Sequence, residues 1–192
     1  MKRLLVCLLP LLLASAATAA GNPDARIYID FDPPNYVHEC VPELYQTFDA
    51  YVCLDSLGEG VTSISFRMND PTTTCPGVFA PPSWISLFPG GILCPAPWHP
   101  NGTTVPSTEC LSGDVVIIGY VPLFYLGGNC CLEILDHVYF PRWVVDCSDP
   151  GEVDYYCVLS NGRVGGAECP DGDCVPVPVK SSTWGAMKSL YR

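Results

Sequence analysis

Histidine and positive charge are scarce in this chain, and no segment carries a long helical pattern. Each scarcity excludes something. Only His38, His99 and His137 occur, so nucleophile–histidine chemistry has few places to sit. There is no G-x-S-x-G motif, and no cysteine lies in a histidine signature. His38 and His99 sit in loops. Asp136-His137 is the most suggestive pair, and a structural turn is its ordinary role. Lys and Arg number 9 against 20 Asp and Glu, for a net charge of −11. Every acidic residue lies between Asp24 and Asp173, opposed there only by Arg26, Arg67, Arg142 and Arg163. That body repels nucleic acid and anionic lipid, so neither is an expected partner. No window sustains a 3.6-residue hydrophobic period, and no internal repeat is visible.

Cysteine, glycine and proline, in contrast, are plentiful: 12, 17 and 20 residues. Lys2 and Arg3 precede the apolar run Leu4–Leu13, and small residues follow to Ala20. This reads as a signal peptide over 1–19, cut after Ala17-Thr18-Ala19. The mature chain is then secreted, extracellular or at the cell surface, with no transmembrane segment after cleavage. Cys7 leaves with the signal. Of the twelve cysteines, eleven remain: Cys40, Cys53, Cys75, Cys94, Cys110, Cys130, Cys131, Cys147, Cys157, Cys169 and Cys174. In an exported chain this density means disulfides. Zinc fits poorly because no Cys-x-x-Cys pair exists. An odd number leaves at least one thiol free, intermolecular or modified.

The run Asp114–Leu126 (DVVIIGYVPLFYL) is the most apolar stretch after the signal. It is shorter than the roughly 20 residues of a membrane span, and it reads as a fully buried strand. Pro122 cannot donate to a ladder, so a break or bulge is expected there. Cys110 before it and Cys130-Cys131 after it suggest anchored ends. In a strand from Cys130 to Leu135 the vicinal cysteines face opposite ways, so they take separate partners.

Period-two alternation recurs elsewhere. Ile27, Ile29 and Phe31 oppose Tyr28, Asp30 and Asp32; Phe48, Ala50, Val52 and Leu54 face inward; Ile64, Phe66 and Met68 oppose Ser63, Ser65 and Arg67. Leu57–Gly60 reads as a tight connection between antiparallel partners, each with one wet face. Arg142–Cys147 and Val153–Ser160 read as further strands, and Asn161-Gly162 signals a hairpin. Asp70–Pro106 is Pro- and Gly-rich. It is expected to form loops around short strands near Trp84–Phe88 and Ile92–Cys94, stapled by Cys75 and Cys94. Seven to nine short strands with frequent turns give an all-β fold, a disulfide-stapled antiparallel β-sandwich.

The composition changes at the end. Residues 20–168 are assigned to the sandwich, 169–180 to a Pro-rich linker that includes the extended segment VPVPV, and 181–192 to a tail. Ser181-Ser182-Thr183 can cap a short helix from Trp184 to Arg192. Lys180, Lys188 and Arg192 make this the only basic stretch of the mature chain.

Candidate sites are few. Trp84 and Trp98, in the Pro-rich region, are the aromatics expected to be exposed as a ligand-binding platform, while the other aromatics are assigned to the core. Asp171 and Asp173 are the candidate calcium ligands, although no complete Asp-x-Asp-x-Asp-Gly loop accompanies them. No other cofactor is expected. Asp30/Asp32, Asp146/Asp149 and Glu152/Asp154 are the carboxylate pairs on which glycoside hydrolysis would depend, and a solvated rim is their default.

Two resemblances add to this. The body, from FDAYVCLDSLGEGVTSISFRM through DVVIIGYVPL to the VVDC of Val144–Cys147, resembles secreted bacterial β-sandwiches of the cohesin-like or immunoglobulin-like kind. It differs in its many cysteines and its long Pro-rich insertion. The ending Thr183-Trp184-Gly185-Ala186-Met187-Lys188-Ser189-Leu190-Tyr191-Arg192 resembles a TWG-x-(I/M)-K-x-(L/M)-(Y/F)-R tail found on exported proteins of environmental bacteria. In that tail Trp184, Gly185, Lys188, Tyr191 and Arg192 are the motif positions, and the resemblance implies a sorting or attachment signal. Together these features imply an exported, non-catalytic module for surface adhesion, for binding a glycan or protein ligand, or for assembly, including self-association. A carboxylate-dependent hydrolase and a fibre subunit are the rival readings.

Overall fold

A computed structural model describes residues 22, 24–79, 83–89, 95–148 and 151–174. The expected signal peptide, the VPVPV segment, the tail and Cys94 lie outside the described residues. In chain order the elements are β1 (Arg26–Asp30), β2 (Glu39–Cys40), β3 (Thr47–Asp55), β4 (Val61–Met68), α1 (Pro71–Thr74), β5 (Val78–Phe79), β6 (Ile85–Ser86) and β7 (Thr103–Leu111). They continue with β8 (Val115–Tyr125), β9 (Cys130–Leu132), β10 (Ile134–Leu135), β11 (Trp143–Val145), β12 (Val153–Tyr155), β13 (Cys157–Ser160) and β14 (Gly162–Val164).

One sheet runs β13-β1-β3-β8-β5, with β6 also on β8; the second runs β10-β4-β11-β12, with β7 also on β4. A small third sheet joins β2, β14 and β9. Ile27, Ile29, Ala50, Val52, Leu54, Ile118 and Leu123 from the first sheet meet Val61, Ile64, Phe66, Val105 and Val144 from the second in one buried core. The molecule is a disulfide-stapled β-sandwich, as expected. Its pairing is mixed, because β1 lies parallel to β13 and β2 parallel to β14.

β3 and β4 do not pair. Leu57–Gly60 carries the chain from one sheet to the other, which lets both alternating strands bury their apolar side in the same core. The outer face of β1 is not wet either: Tyr28 and Asp30 are both 0% exposed. Asp30 accepts N–H bonds from Asp32, Tyr36 and Val37 and so folds the 31–37 loop over the sheet. Tyr36 then stacks on Tyr28 at 5.1 Å.

The apolar run forms β8, paired along its length with β3. Its inward residues are Val116 and Ile118, then Val121 and Leu123, a switch from even to odd positions. A bulge causes the switch: Cys53 pairs with Ile117 and Val52 with Gly119, leaving Ile118 as the extra residue. The strand continues through Pro122. On the flank away from β3, β6 pairs as far as Tyr120 and β5 resumes at Phe124, so among the described residues nothing there requires the missing N–H. Gly119 is needed for close approach. A Cβ there would lie 2.5 Å from the Trp84 ring and 2.4 Å from the Ile85 carbonyl.

Other expectations fail for tertiary reasons. β7 is a nine-residue strand that begins inside the stretch read as loop; its Pro106 sits at an irregular point of an edge strand, where proline is tolerated. Asn161-Gly162 makes no hairpin, because β13 and β14 belong to different sheets. The Asn161 side chain instead accepts from Ile134 N and donates to Pro170 O. Cys75 bridges Cys130, not Cys94. The other bridges are Cys110–Cys147, Cys131–Cys169 and Cys157–Cys174. Residues 169–174, assigned above to the linker, stay on the sandwich. Two bridges hold them, and Asp173 exchanges bonds with Val158 N and O.

Candidate protein-binding surface

Trp84 and Trp98 do not form an exposed platform. Both pack partly buried against the core, and Trp84 meets Phe66 edge-on at 5.8 Å. Bulky rings beside a core are drawn inward by the apolar area they remove from water. Exposed aromatics lie elsewhere: Tyr36 and Tyr45 stand apart in the 31–46 segment, and three more gather near β11 and β12. Tyr139, Phe140 and Tyr155 are 66%, 40% and 62% exposed, with Val138 and Val153 exposed beside them.

The β11–β12 hairpin and the loop before it bring these residues together. Trp143 pairs with Tyr155 and Val145 with Val153, so each pair shares one face of the sheet. Phe140 lies 4.9 Å from Trp143, and His137 stacks on Phe140 at 5.3 Å and reaches Tyr139 at 6.2 Å. The result is a continuous strip: Tyr139, His137, Phe140, Trp143, Tyr155. Pro141 ends any strand at this point, which leaves Val138-Tyr139-Phe140 in a loop. That apolar triplet between Asp136 and Arg142 is the sequence signal that would have located the strip.

Two carboxylates hold the geometry. Buried Asp146 Oδ1 accepts from Ser148 N, Ser148 Oγ and Glu152 N at 3.0, 2.6 and 2.7 Å and closes the connection between β11 and β12. Burial alone would raise its pKa, but the Ser148 hydroxyl and the Glu152 and Ser148 amides outweigh it and hold the carboxyl below its ordinary value. Asp136 accepts from Arg142 Nε at 2.7 Å. Arg142 also pairs with Asp173, fixing the residue beside Trp143 in a left-handed conformation at φ 59°. The rim carries Asp136, Glu152 and Asp173 against this single arginine, while Asp154, paired with buried Val144, lies on the opposite face of the hairpin.

Three carboxylates of the hydrolase reading, Asp30, Asp146 and Asp154, serve the main chain, and Asp149 lies outside the described residues. Asp146 is 0% exposed, Asp30 is buried under its own loop, and Asp154 accepts from Asn22 N. Asp171 and Asp173, the candidate calcium pair, do not converge. Asp171 faces Arg163 at 3.4 Å and Asp173 pairs with Arg142. No cluster of three or more metal-ligating side chains occurs among the described residues. Of the thiols, Cys53 is buried, and burial pushes it up to about 12. Burial raises Cys40 as well, so neither is an activated nucleophile.

Two clefts among the described residues lie elsewhere. One, of about 440 Å³, holds Arg26 locked to Asp55 by two bonds of 2.7 and 2.8 Å, with Tyr36 Oη donating to the same carboxylate. The other, of about 420 Å³, lies between His38, Asn161 and Arg163. In both clefts the arginine is already paired with an aspartate. No helix among the described residues is long and apolar enough to cross a membrane.

The class these features define is a disulfide-stapled β-sandwich stabilised for an oxidising environment. Comparison with solved structures finds similarity to a chain of a CaDoc0917–CaCohA2 complex, at 11% identity over 73% of this chain and 97% of that one, with a TM-score of 0.48. The seventh ScaB type I cohesin from Pseudobacteroides cellulosolvens is similar at 10% identity over 77% of this chain and 95% of that one, also with a TM-score of 0.48. No protein-family model and no curated protein matches the sequence.

Proposed function

We propose that this protein is a non-catalytic, exported binding module that grips a partner protein through the Tyr139–Tyr155 strip. The carrying observation is the strip itself: exposed Tyr139, Phe140 and Tyr155 joined through half-buried Trp143 beside an arginine, the composition of interface hot spots. Its acidic rim selects the partner, a protein surface whose apolar centre is ringed by Lys or Arg. A second copy of this chain has the same negative rim and is repelled. Export through residues 1–19 and retention at the cell surface through 181–192 belong to the same reading.

The test is a photo-crosslinking amino acid at position 155 or 139 in the exporting cell, with position 109 on β7 as control. One protein adduct at both strip positions, lost at high salt and absent at 109, is the expected result. Adducts only to a second copy would favour the fibre subunit. Adducts to polysaccharide, or equal labelling at 109, would sink the assignment of the strip to a basic partner.

A further inference from the structure

His137 holds the strip in place. It is 6% exposed, and its Nδ1 accepts N–H bonds from Tyr139 at 3.2 Å and Phe140 at 3.1 Å. An acceptor Nδ1 means the neutral ring with its proton on Nε2. The ring is clamped from the other side by the 95–102 loop. Gly102, at φ +89°, leaves no Cβ to collide with His137 Cδ2, which would lie 2.8 Å away. Val138 N donates to Asn101 O, so the two loops are tied beside the ring.

We propose that His137 is a pH-sensitive latch: protonation of Nδ1 releases the Tyr139 and Phe140 amides and dissolves the aromatic strip. The relevance to binding rests on the function proposed above. The latch itself is a property of the free protein. Two N–H donors aim at the atom that would gain a proton, so the imidazolium cannot keep both bonds. The surroundings offer that cation little support. Arg67 on β4 is a like charge; Asp136 is engaged by Arg142, and that arginine by Asp173; His99, on the facing loop, and Tyr139 contribute no anion. Burial, and then Arg67, lower the His137 pKa from its ordinary 6.5. The strip is therefore intact at pH 6.5 and above and opens only as pH falls through that lowered pKa.

The experiment is an NMR titration of the protein from pH 8 to pH 5, reading the His137 ring nitrogens, Tyr139 and Phe140 amide exchange, and the Trp143 indole N–H signal. The expected result is an unprotonated Nδ1 at pH 8 and a single midpoint below 6.5 shared by all three. Exchange at the two amides should rise at least tenfold across it. His137→Asn, whose Oδ1 can accept the same bonds without titrating, should keep the amides protected throughout. If His137 titrates while both amides stay protected, the latch is wrong. The same holds if the transition persists in the Asn variant. Should that variant not fold, shared or separate midpoints in the wild type still decide. No partner enters these readouts, so failure of the latch is separable from failure of the binding reading.

Discussion

Replacing Cys75 and Cys130 together with alanine should destabilise the sandwich more than replacing Cys157 and Cys174. The first bridge closes a separation of 55 residues and the second one of 17. Chain entropy then assigns about 4 kcal/mol to the first and about 3 kcal/mol to the second. Cys75 and Cys130 are also 2% and 1% exposed. Losing their buried sulfurs adds about 1 kcal/mol, whereas Cys157 and Cys174 are half-buried and add little. The totals are about 5 and about 3 kcal/mol. At roughly 2–4 °C per kcal/mol for a chain of this size, the Tm losses are about 10–20 °C and about 6–12 °C. Urea unfolding under non-reducing conditions, with the m-value checked for constancy, measures both. If the Cys157/Cys174 variant lost as much as the Cys75/Cys130 variant, loop closure would not be what these bridges supply. A shift below about 1 kcal/mol for Cys75/Cys130 would deny that it is a structural bridge at all.

Three further outcomes are expected. Gly119→Ala drives a methyl group into the Trp84 ring and the Ile85 carbonyl, so it should cost about 2–4 kcal/mol and shift tryptophan emission; unchanged emission would show that Trp84 does not sit over β8. Asp146 has a folded pKa below its ordinary 3.8, so its contribution is complete above that value and fades as pH falls below it. Asp146→Ala should therefore lose about 2–4 kcal/mol near pH 7, and the gap from wild type should narrow in acid denaturation below pH 3.8. Tyr155→Ala removes an exposed ring; it should change stability by less than about 0.5 kcal/mol while weakening partner capture by about 2 kcal/mol or more, read by thermal melt and by binding to the cross-linked partner.

Much of the fold was legible in the sequence because it follows from local chemistry. Alternation in Phe48–Leu54 and Ile64–Met68 requires strands with one buried face, and the vicinal Cys130 and Cys131 in a strand must face opposite ways. The turn role of Asp136-His137 was readable too, since a lone histidine beside an aspartate and a loop is usually structural. What failed was pairing across distance. Leu57–Gly60 looks the same whether its strands pair or cross between sheets, and Asn161-Gly162 looks like a hairpin until Ile134 and Pro170 claim the asparagine.

Exposure behaved the same way. Trp84 and Tyr155 are both large aromatics next to turn residues, and nothing local says that one will cover the core and the other face solvent. From its own residues the chain determined its oxidised cross-links, its acidic character and its two-layer β architecture, because charge, thiols and period-two burial act through neighbours in sequence. Only the tertiary structure decided which cysteines meet, where β8 shifts its inward parity, and that Tyr139, Phe140, Trp143 and Tyr155 share one face. Those outcomes depend on contacts between segments far apart along the chain.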